Sequence, residues 1–264
     1  MKVFVIDINK CNGCHNCQVA CKDEHCNQAW PPYTEMQPEV GQFWMKVDGR
    51  ERGQVPWTRI SYVPIMCQHC ENPSCQSDAV YKREDGMVIL DPAKATDQSI
   101  VEKCPVGAIY WNDELGIAQK CNGCAHLLDS GWEVPRCVDV CATDALLYGN
   151  EEDFDLSGCE HLDSVDESMG SRVYYRNLPK RFVAGTVFDP EAKEVLIGAA
   201  VELRADGEKI ALLETDDFGD FKFDQVEPRL YEIRIVANGY REKTIEVNLT
   251  NKDKSVGDVA MEAC

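Results

Sequence analysis

The chain has 264 residues, 44% of them hydrophobic, and a formal net charge of −19. That length suits one large domain or two ordinary ones, and no apolar run approaches the roughly 20 residues that span a bilayer. The acidity is spread along the chain, with 13 basic against 20 acidic residues in 1–150 (−7) and 14 against 26 in 151–264 (−12), which argues against nucleic acid or anionic lipid as a partner.

Cysteine sets the class. Of 15 cysteines, 13 lie between Cys11 and Cys141. Disulfide frameworks belong to small secreted domains. The opening MKVFVIDINKC has too short an apolar stretch for a signal peptide, and the cysteines fall in close C-x-x-C pairs. Ligation of metal or iron–sulfur clusters is the better reading.

The first predicted strand, KVFVID, leads into Cys11-x2-Cys14-x2-Cys17-x3-Cys21. This is the bacterial ferredoxin run without its closing proline. Three thiolates on a tight loop wrap one face of a cubane, and the next turn carries the fourth to a different cluster. Structural zinc pairs two separated knuckles instead. Residues 27–66, with Trp30, Pro31, Pro32, Trp44 and Trp57, form a long insertion that reads as partner-facing surface. MCQHCENPSCQSDAV supplies Cys67, Cys70 and Cys75, MVILD a further strand, and KCPVGAIYWN the pair Cys104-Pro105. The KCNGC of Lys10–Cys14 recurs at Lys120–Cys124, which indicates a duplicated cluster-binding unit. The second copy is Cys121-x2-Cys124-x12-Cys137-x3-Cys141.

Crossed ligation then assigns three [4Fe–4S] clusters: Cys11, Cys14, Cys17 and Cys141; Cys21, Cys121, Cys124 and Cys137; Cys67, Cys70, Cys75 and Cys104. Cys26, Cys159 and Cys264 are left as free thiols. His15, His25, His69 and His126 lie near the groups, but no ligand position remains for them. Lys10, Lys22, Lys103 and Lys120 flank ligands. They either face water or raise the potential of an anionic cluster. Backbone N–H groups near Gly13, Gly107 and Gly123 are further tuning elements. Tyr62, Tyr81, Tyr110, Tyr148 and the tryptophans read as core filling.

Residues 149–181 read as an acidic linker and docking segment, since 151–171 hold eight acids and no Lys or Arg. RVYYRNLPKRF, which follows, is basic and aromatic and should pack on something. From Phe182 to Cys264, seven short alternating runs are divided by turn signals such as Asp206-Gly207 and Asn238-Gly239. They predict a β-sandwich or small barrel, similar to carboxypeptidase-regulatory or Cna-B modules, with no catalytic constellation. The fold class is α+β: a ferredoxin-like, duplicated cluster domain over 1–148 with loop-rich insertions, then an all-β seven-stranded domain.

The order of the cysteine groups, with CQHCENPSC, YKREDGMVILDP and CPVGAIYWN, resembles the four-cluster ferredoxin-like subunits of the dimethyl sulfoxide reductase superfamily over residues 1 to about 148. The resemblance implies four further ligands, three just before the Cys-Pro and one soon after the C-x2-C-x4-C set. Here Ala79 stands at the latter position and KATDQSIVEK holds no cysteine. Coordinated loss of all four implies deletion of one whole cluster. Three clusters plus a C-terminal β-domain are similar to the small (beta) subunits of pyrogallol–phloroglucinol transhydroxylase and of molybdenum catechol dehydroxylases. CKDEH, NQAWPPYT, RERG, QKCNGCAHLLD and RVYYRNL support this across nearly the whole chain. Ala142 follows Cys141 where such runs often have proline.

The resemblance implies a non-catalytic electron-transfer subunit of an anaerobic heterodimer. It would pass single electrons to a molybdenum (or tungsten) bis-MGD cofactor on a large partner subunit, for reductive dehydroxylation of a catechol. The alternatives are a transhydroxylase small subunit without net redox change, or a subunit serving another molybdoenzyme substrate. An external electron donor is a further expected partner. The expected location is cytoplasmic, or exported as a folded complex with a twin-arginine partner. A free-standing ferredoxin-like carrier would need neither the β-domain nor the insertion, and a zinc scaffold would bind zinc without iron.

Overall fold

The structure is a computed structural model that describes residues 1–264, and the chain divides into two units. One comprises Met1–Gly49 and Tyr62–Leu178, the other Arg50–Ser61 and Pro179–Cys264. In chain order the elements are β1 (Lys2–Asp7), α1 (Asn16–His25), β2 (Lys46–Gln54), β3 (Trp57–Ile65), β4 (Val80–Lys82), β5 (Val88–Leu90), β6 (Ile109–Asn112), β7 (Ile117–Lys120), α2 (Ala125–Asp129), α3 (Arg136–Asp139), β8 (Leu146–Asn150) and β9 (Val173–Arg176).

β1 is the spine of the first unit. Val3, Phe4, Val5 and Ile6 are all buried, so the strand is covered on both faces. β8 pairs with it antiparallel and β9 parallel. The remaining strands form two-stranded ribbons, β2–β3, β4–β5 and β6–β7. β3 runs into Cys67 and β7 directly into Cys121, so two of the ribbons deliver cysteines at their ends.

The stretch expected as a linker lies with this unit up to Leu178. Its VYYR segment is β9, and the Tyr175 hydroxyl, fully buried, donates to the Pro64 carbonyl at 3.0 Å. Trp44, expected on a partner-facing surface, is also core. It is 1% exposed and lies against the His25 ring, centroids 4.7 Å apart.

The second unit contains β10 (Arg181–Asp189), β11 (Glu194–Val195), β12 (Ala200–Ala205), β13 (Glu208–Glu214), β14 (Asp220–Val226), β15 (Leu230–Val236), β16 (Lys243–Asn248) and β17 (Lys254–Ala260). The seven runs read from sequence each form a strand, and the two-residue β11 is an eighth, too short to leave a periodic signal. One sheet runs β11–β10–β14 with β17 beside β10, the other β13–β12–β15–β16. Alternation along β12 and β15 buries Val201, Leu203, Tyr231, Ile233 and Ile235 with Val183, Val187, Phe221 and Phe223 of the other sheet. Asp206 (φ +51°) and Gly207 (φ +80°) make the two-residue turn between β12 and β13, which requires two left-handed residues.

The turn end of the β2–β3 ribbon also belongs to this unit. Arg52 donates to the Lys180 carbonyl at 2.6 Å and lies 3.7 Å from Asp253. Asp253 is buried and accepts the Phe182 N–H at 2.9 Å. Arg59 pairs with Asp224.

Each unit has its own apolar core. Ile233→Ala should therefore cost about 2–5 kcal/mol in the β-domain. Calorimetry should show one lowered transition, while the iron content stays at the wild-type value.

Candidate metal centre

The two KCNGC copies fold alike. In each, the asparagine side chain accepts the N–H of the second cysteine: Asn12 from Cys14 at 3.2 Å, Asn122 from Cys124 at 2.9 Å. Gly13 (φ +70°) and Gly123 (φ +66°) turn the loop through left-handed conformation. A Cβ on Gly13 would stand 2.5 Å from the Tyr62 ring, so the loop tolerates no side chain there. A left-handed residue, His15 in one copy and Cys124 in the other, then starts a helix.

Cys17 and Cys21 are four apart on α1, hence on one face. Cys137 on α3 and Cys141 repeat that spacing. Glu24 of α1 bonds His126 of α2 at 3.0 Å and lies 3.9 Å from Arg136 of α3. One carboxylate thus ties together the three helices that carry or flank Cys21, Cys124 and Cys137.

All fifteen cysteines are free thiols, and twelve of them gather in three groups of four. Burial pushes the Cys17 thiol up to about 12, and its neighbours Cys11, Cys141 and Cys14 add to this. Burial lifts Cys137 well above the ordinary thiol range, followed by the effects of Cys124, Cys21, Cys121 and, more weakly, Cys17. Burial likewise pushes Cys70 up to about 12, with Cys67, Cys75 and Cys104 beside it. The second group adjoins both others, since Cys17 neighbours its Cys137 and Cys67 of the third group neighbours its Cys121, and it is called the middle group below. The third set lines one cavity holding about 390 Å³ of space between atoms, part of it open to solvent. Cys26, Cys159 and Cys264 lie outside the three sets.

Two residues in this region take places that the sequence left open. His69, between Cys67 and Cys70, is fully buried. Its Nδ1 accepts the Val88 N–H at 3.0 Å, which leaves the ring proton on Nε2, 3.7 Å from Cys121 Sγ. Burial, and then the Lys120 charge, hold its pKa well below the ordinary histidine value. Lys120, at the end of β7, is 3% exposed. Its ammonium donates to the Val88 carbonyl and, at 3.0 Å, to the Cys121 carbonyl, and it lines the cavity of the third group. Lys10 and Lys103 are exposed, and Lys22 is half-buried, donating to the Pro38 and Gly41 carbonyls. The signal for Lys120 was its place directly before Cys121 in KCNGC. For His69 it was its place inside C-x-x-C.

Residues 58–151 match the 4Fe-4S dicluster domain family, and residues 183–262 match the carboxypeptidase regulatory-like domain. The chain is 39% identical over 276 aligned positions to the pyrogallol hydroxytransferase small subunit of Pelobacter acidigallici, covering 96% of each. The chain belongs to this small-subunit family. It is also 32% identical to the thiosulfate reductase electron transfer subunit of Salmonella typhi, over 73% of this chain and 93% of that protein. One polypeptide of the anaerobic dimethyl sulfoxide reductase of Escherichia coli is 34% identical over 55% of this chain and 72% of its own length.

The residues of this small subunit suit iron–sulfur clusters. Thiols are soft ligands, and backbone N–H groups are aimed at them: Ala108 at Cys104 Sγ and Gly123 at Cys121 Sγ, both 3.4 Å. Nowhere do three His, Cys, Asp or Glu side chains converge to hold a single metal ion. No helix is long and apolar enough to cross a membrane. Beside Cys75, the positions that lack a further ligand set are filled by hydrocarbon. Ala79, Ala95 and Ile100 are buried with Val80, Val88, Leu90, Ile109 and Ala118. Backbone bonds close the group, from Asp91 N–H to Ala79 at 2.8 Å and from Ala118 N–H to Ala95 at 2.7 Å.

Gly13→Ala should lower bound iron by one cluster's share, measured by iron analysis and visible absorption, with the β-domain transition unmoved. A pH dependence follows from the raised thiol values. A raised pKa means that the metal-free fold holds each proton more tightly, so iron must displace it. Incorporation of iron and sulfide into the metal-free protein should therefore increase from pH 6.5 to 8.5, measured by recovered absorption at equilibrium.

Proposed function

We propose that the chain is the non-catalytic electron-transfer subunit of a heterodimeric molybdopterin enzyme acting on polyhydroxylated aromatics. It would hold three [4Fe–4S] clusters, on Cys11, Cys14, Cys17 and Cys141; on Cys21, Cys121, Cys124 and Cys137; and on Cys67, Cys70, Cys75 and Cys104. What supports this reading most is the neighbourhood of the buried thiols, in which Cys17 adjoins Cys137 and Cys121 adjoins Cys67. Each cluster, when bound, supplies one-electron redox chemistry. The protein's part is to space the sulfurs, exclude water and supply N–H donors.

Among the twelve sulfurs only Cys14 is exposed, with Cys11 and Cys141 half-buried beside it. The first group is therefore the open end for exchange with the large subunit. That subunit would carry molybdenum or tungsten bis-MGD and the substrate pocket. The third group is closed on one side by the Ala79–Ala95–Ile100 hydrocarbon. The complex is proposed to work in the cytoplasm, or to be exported folded with a twin-arginine partner.

Two reactions fit this arrangement. In reductive catechol dehydroxylation the chain delivers two electrons, one at a time. In a transhydroxylase no net electrons cross it, and the 39% identity to the pyrogallol hydroxytransferase small subunit favours this second reading. Anoxic co-purification with mass spectrometry tests the partner: a large molybdopterin subunit is expected, and its absence sinks the heterodimer. Reductant consumed per aromatic product separates the two reactions, with one two-electron equivalent for dehydroxylation and none for transhydroxylation.

The wild-type complex should carry about twelve irons on this chain, and Cys104→Ala about eight, with one cluster signal missing from the electron paramagnetic resonance spectrum. If all three signals survive, the assignment of Cys104 fails.

A further inference from the structure

The sequence presents the same Lys-Cys-Asn-Gly-Cys twice, and the fold treats the two lysines in opposite ways. Lys10 points to solvent, whereas Lys120 is 3% exposed. An ammonium taken out of water costs several kcal/mol unless an opposite charge is near. Lys120 forms no ion pair with a carboxylate, and its hydrogen-bond partners are two backbone carbonyls, Val88 and Cys121. Carbonyl dipoles hold the nitrogen in place but bring no negative charge. The groups beside it that can carry negative charge are thiols. It lines the cavity of Cys67, Cys70, Cys75 and Cys104, and it follows the chain directly into Cys121 of the middle group.

Val88 fixes this arrangement from both sides of one peptide. Its carbonyl accepts from Lys120, and its N–H donates to His69, whose other nitrogen faces Cys121 Sγ. Val88 lies in a strand with every side chain buried, so neither group can swing out to water. The cation is thus locked on the seam between the second and third sulfur groups, bonded to the Cys121 carbonyl of the one and lining the cavity of the other. Four thiolates around a cubane make an anionic centre, and a fixed cation beside it favours the reduced, more negative state.

We infer that Lys120 is a fixed counter-charge shared by the second and third clusters, and that it raises their reduction potentials relative to the first. This rests on the three-cluster reading above. The electron would then be favoured deeper in the subunit, away from exposed Cys14.

The test is a redox titration of the anoxically purified complex, followed by electron paramagnetic resonance. The variants are Lys120→Gln, Lys120→Arg and, as control, Lys10→Gln. In Lys120→Gln, two of three midpoint potentials should shift negative while the third holds. Lys120→Arg and Lys10→Gln should keep all three near wild type. Iron lost from Lys120→Gln but retained by Lys120→Arg supports the same role, read as failure to hold the anionic clusters. An iron-replete Lys120→Gln with no shift, or with all three potentials shifted alike, overturns the inference. Iron lost from both Lys120 variants also overturns it, because it marks a packing role. A wild-type complex with fewer than about twelve irons on this chain instead sinks the cluster reading itself.

Discussion

Sulfur has to be kept dry here, and thiolates kept dry need positive charge or dipoles around them. This constraint shapes the first unit. Its buried core includes Cys17, Cys21, Cys67, Cys121 and Cys137 alongside Phe4, Trp44 and Tyr175. Apolar contacts and ligand positions are therefore the same residues, and what the sulfurs bind contributes directly to the stability of the fold. Short strands, left-handed residues ahead of helices, and N–H groups turned toward Sγ atoms all serve that end.

Duplication explains the symmetry of this unit, and divergence explains its use. The asparagine caps and the glycine turns are retained in both KCNGC copies. On the proposed ligation, the four-residue pairs Cys17/Cys21 and Cys137/Cys141 would each send one sulfur to the first group and one to the second, which would make the two groups neighbours by construction. What differs between the copies is where the lysine goes. Lys10 stays in water, while Lys120 ends a strand buried along its whole length and is held there by the carbonyl of Val88.

Local chemistry was legible in the sequence, because ligand spacing is local. The close cysteine triplets and the β-rich C-terminal region could be read from residues close together in the chain, whereas the fourth member of each set came from the crossed-ligation rule. Features created by distant pairing could not. The acidic stretch after β8 reads as solvated, but Val173 and Tyr175 bring it back beside β1 in parallel pairing, which leaves no short-range signature. Trp44 carried two readings, partner-facing in a long insertion or core filling, and the His25 ring against it shows the second. The burial of His69 and Lys120 depends on one peptide of β5 reaching both, and no spacing rule encodes that.

The β2–β3 ribbon leaves a mark on how the molecule can be made and divided. Its turn end, Arg50–Ser61, is grouped with residues that begin at Pro179, so the chain enters the second unit twice. A cut after Leu178 would not yield a clean amino-terminal half, since it strands Arg52 and Arg59 without Lys180, Asp253 and Asp224. During synthesis the ribbon leaves the ribosome long before those partners exist, and amino-terminal segments fold first. The second unit therefore waits for the carboxyl terminus to complete a structure begun near the amino terminus. Grafting this β-domain elsewhere requires carrying that hairpin with it.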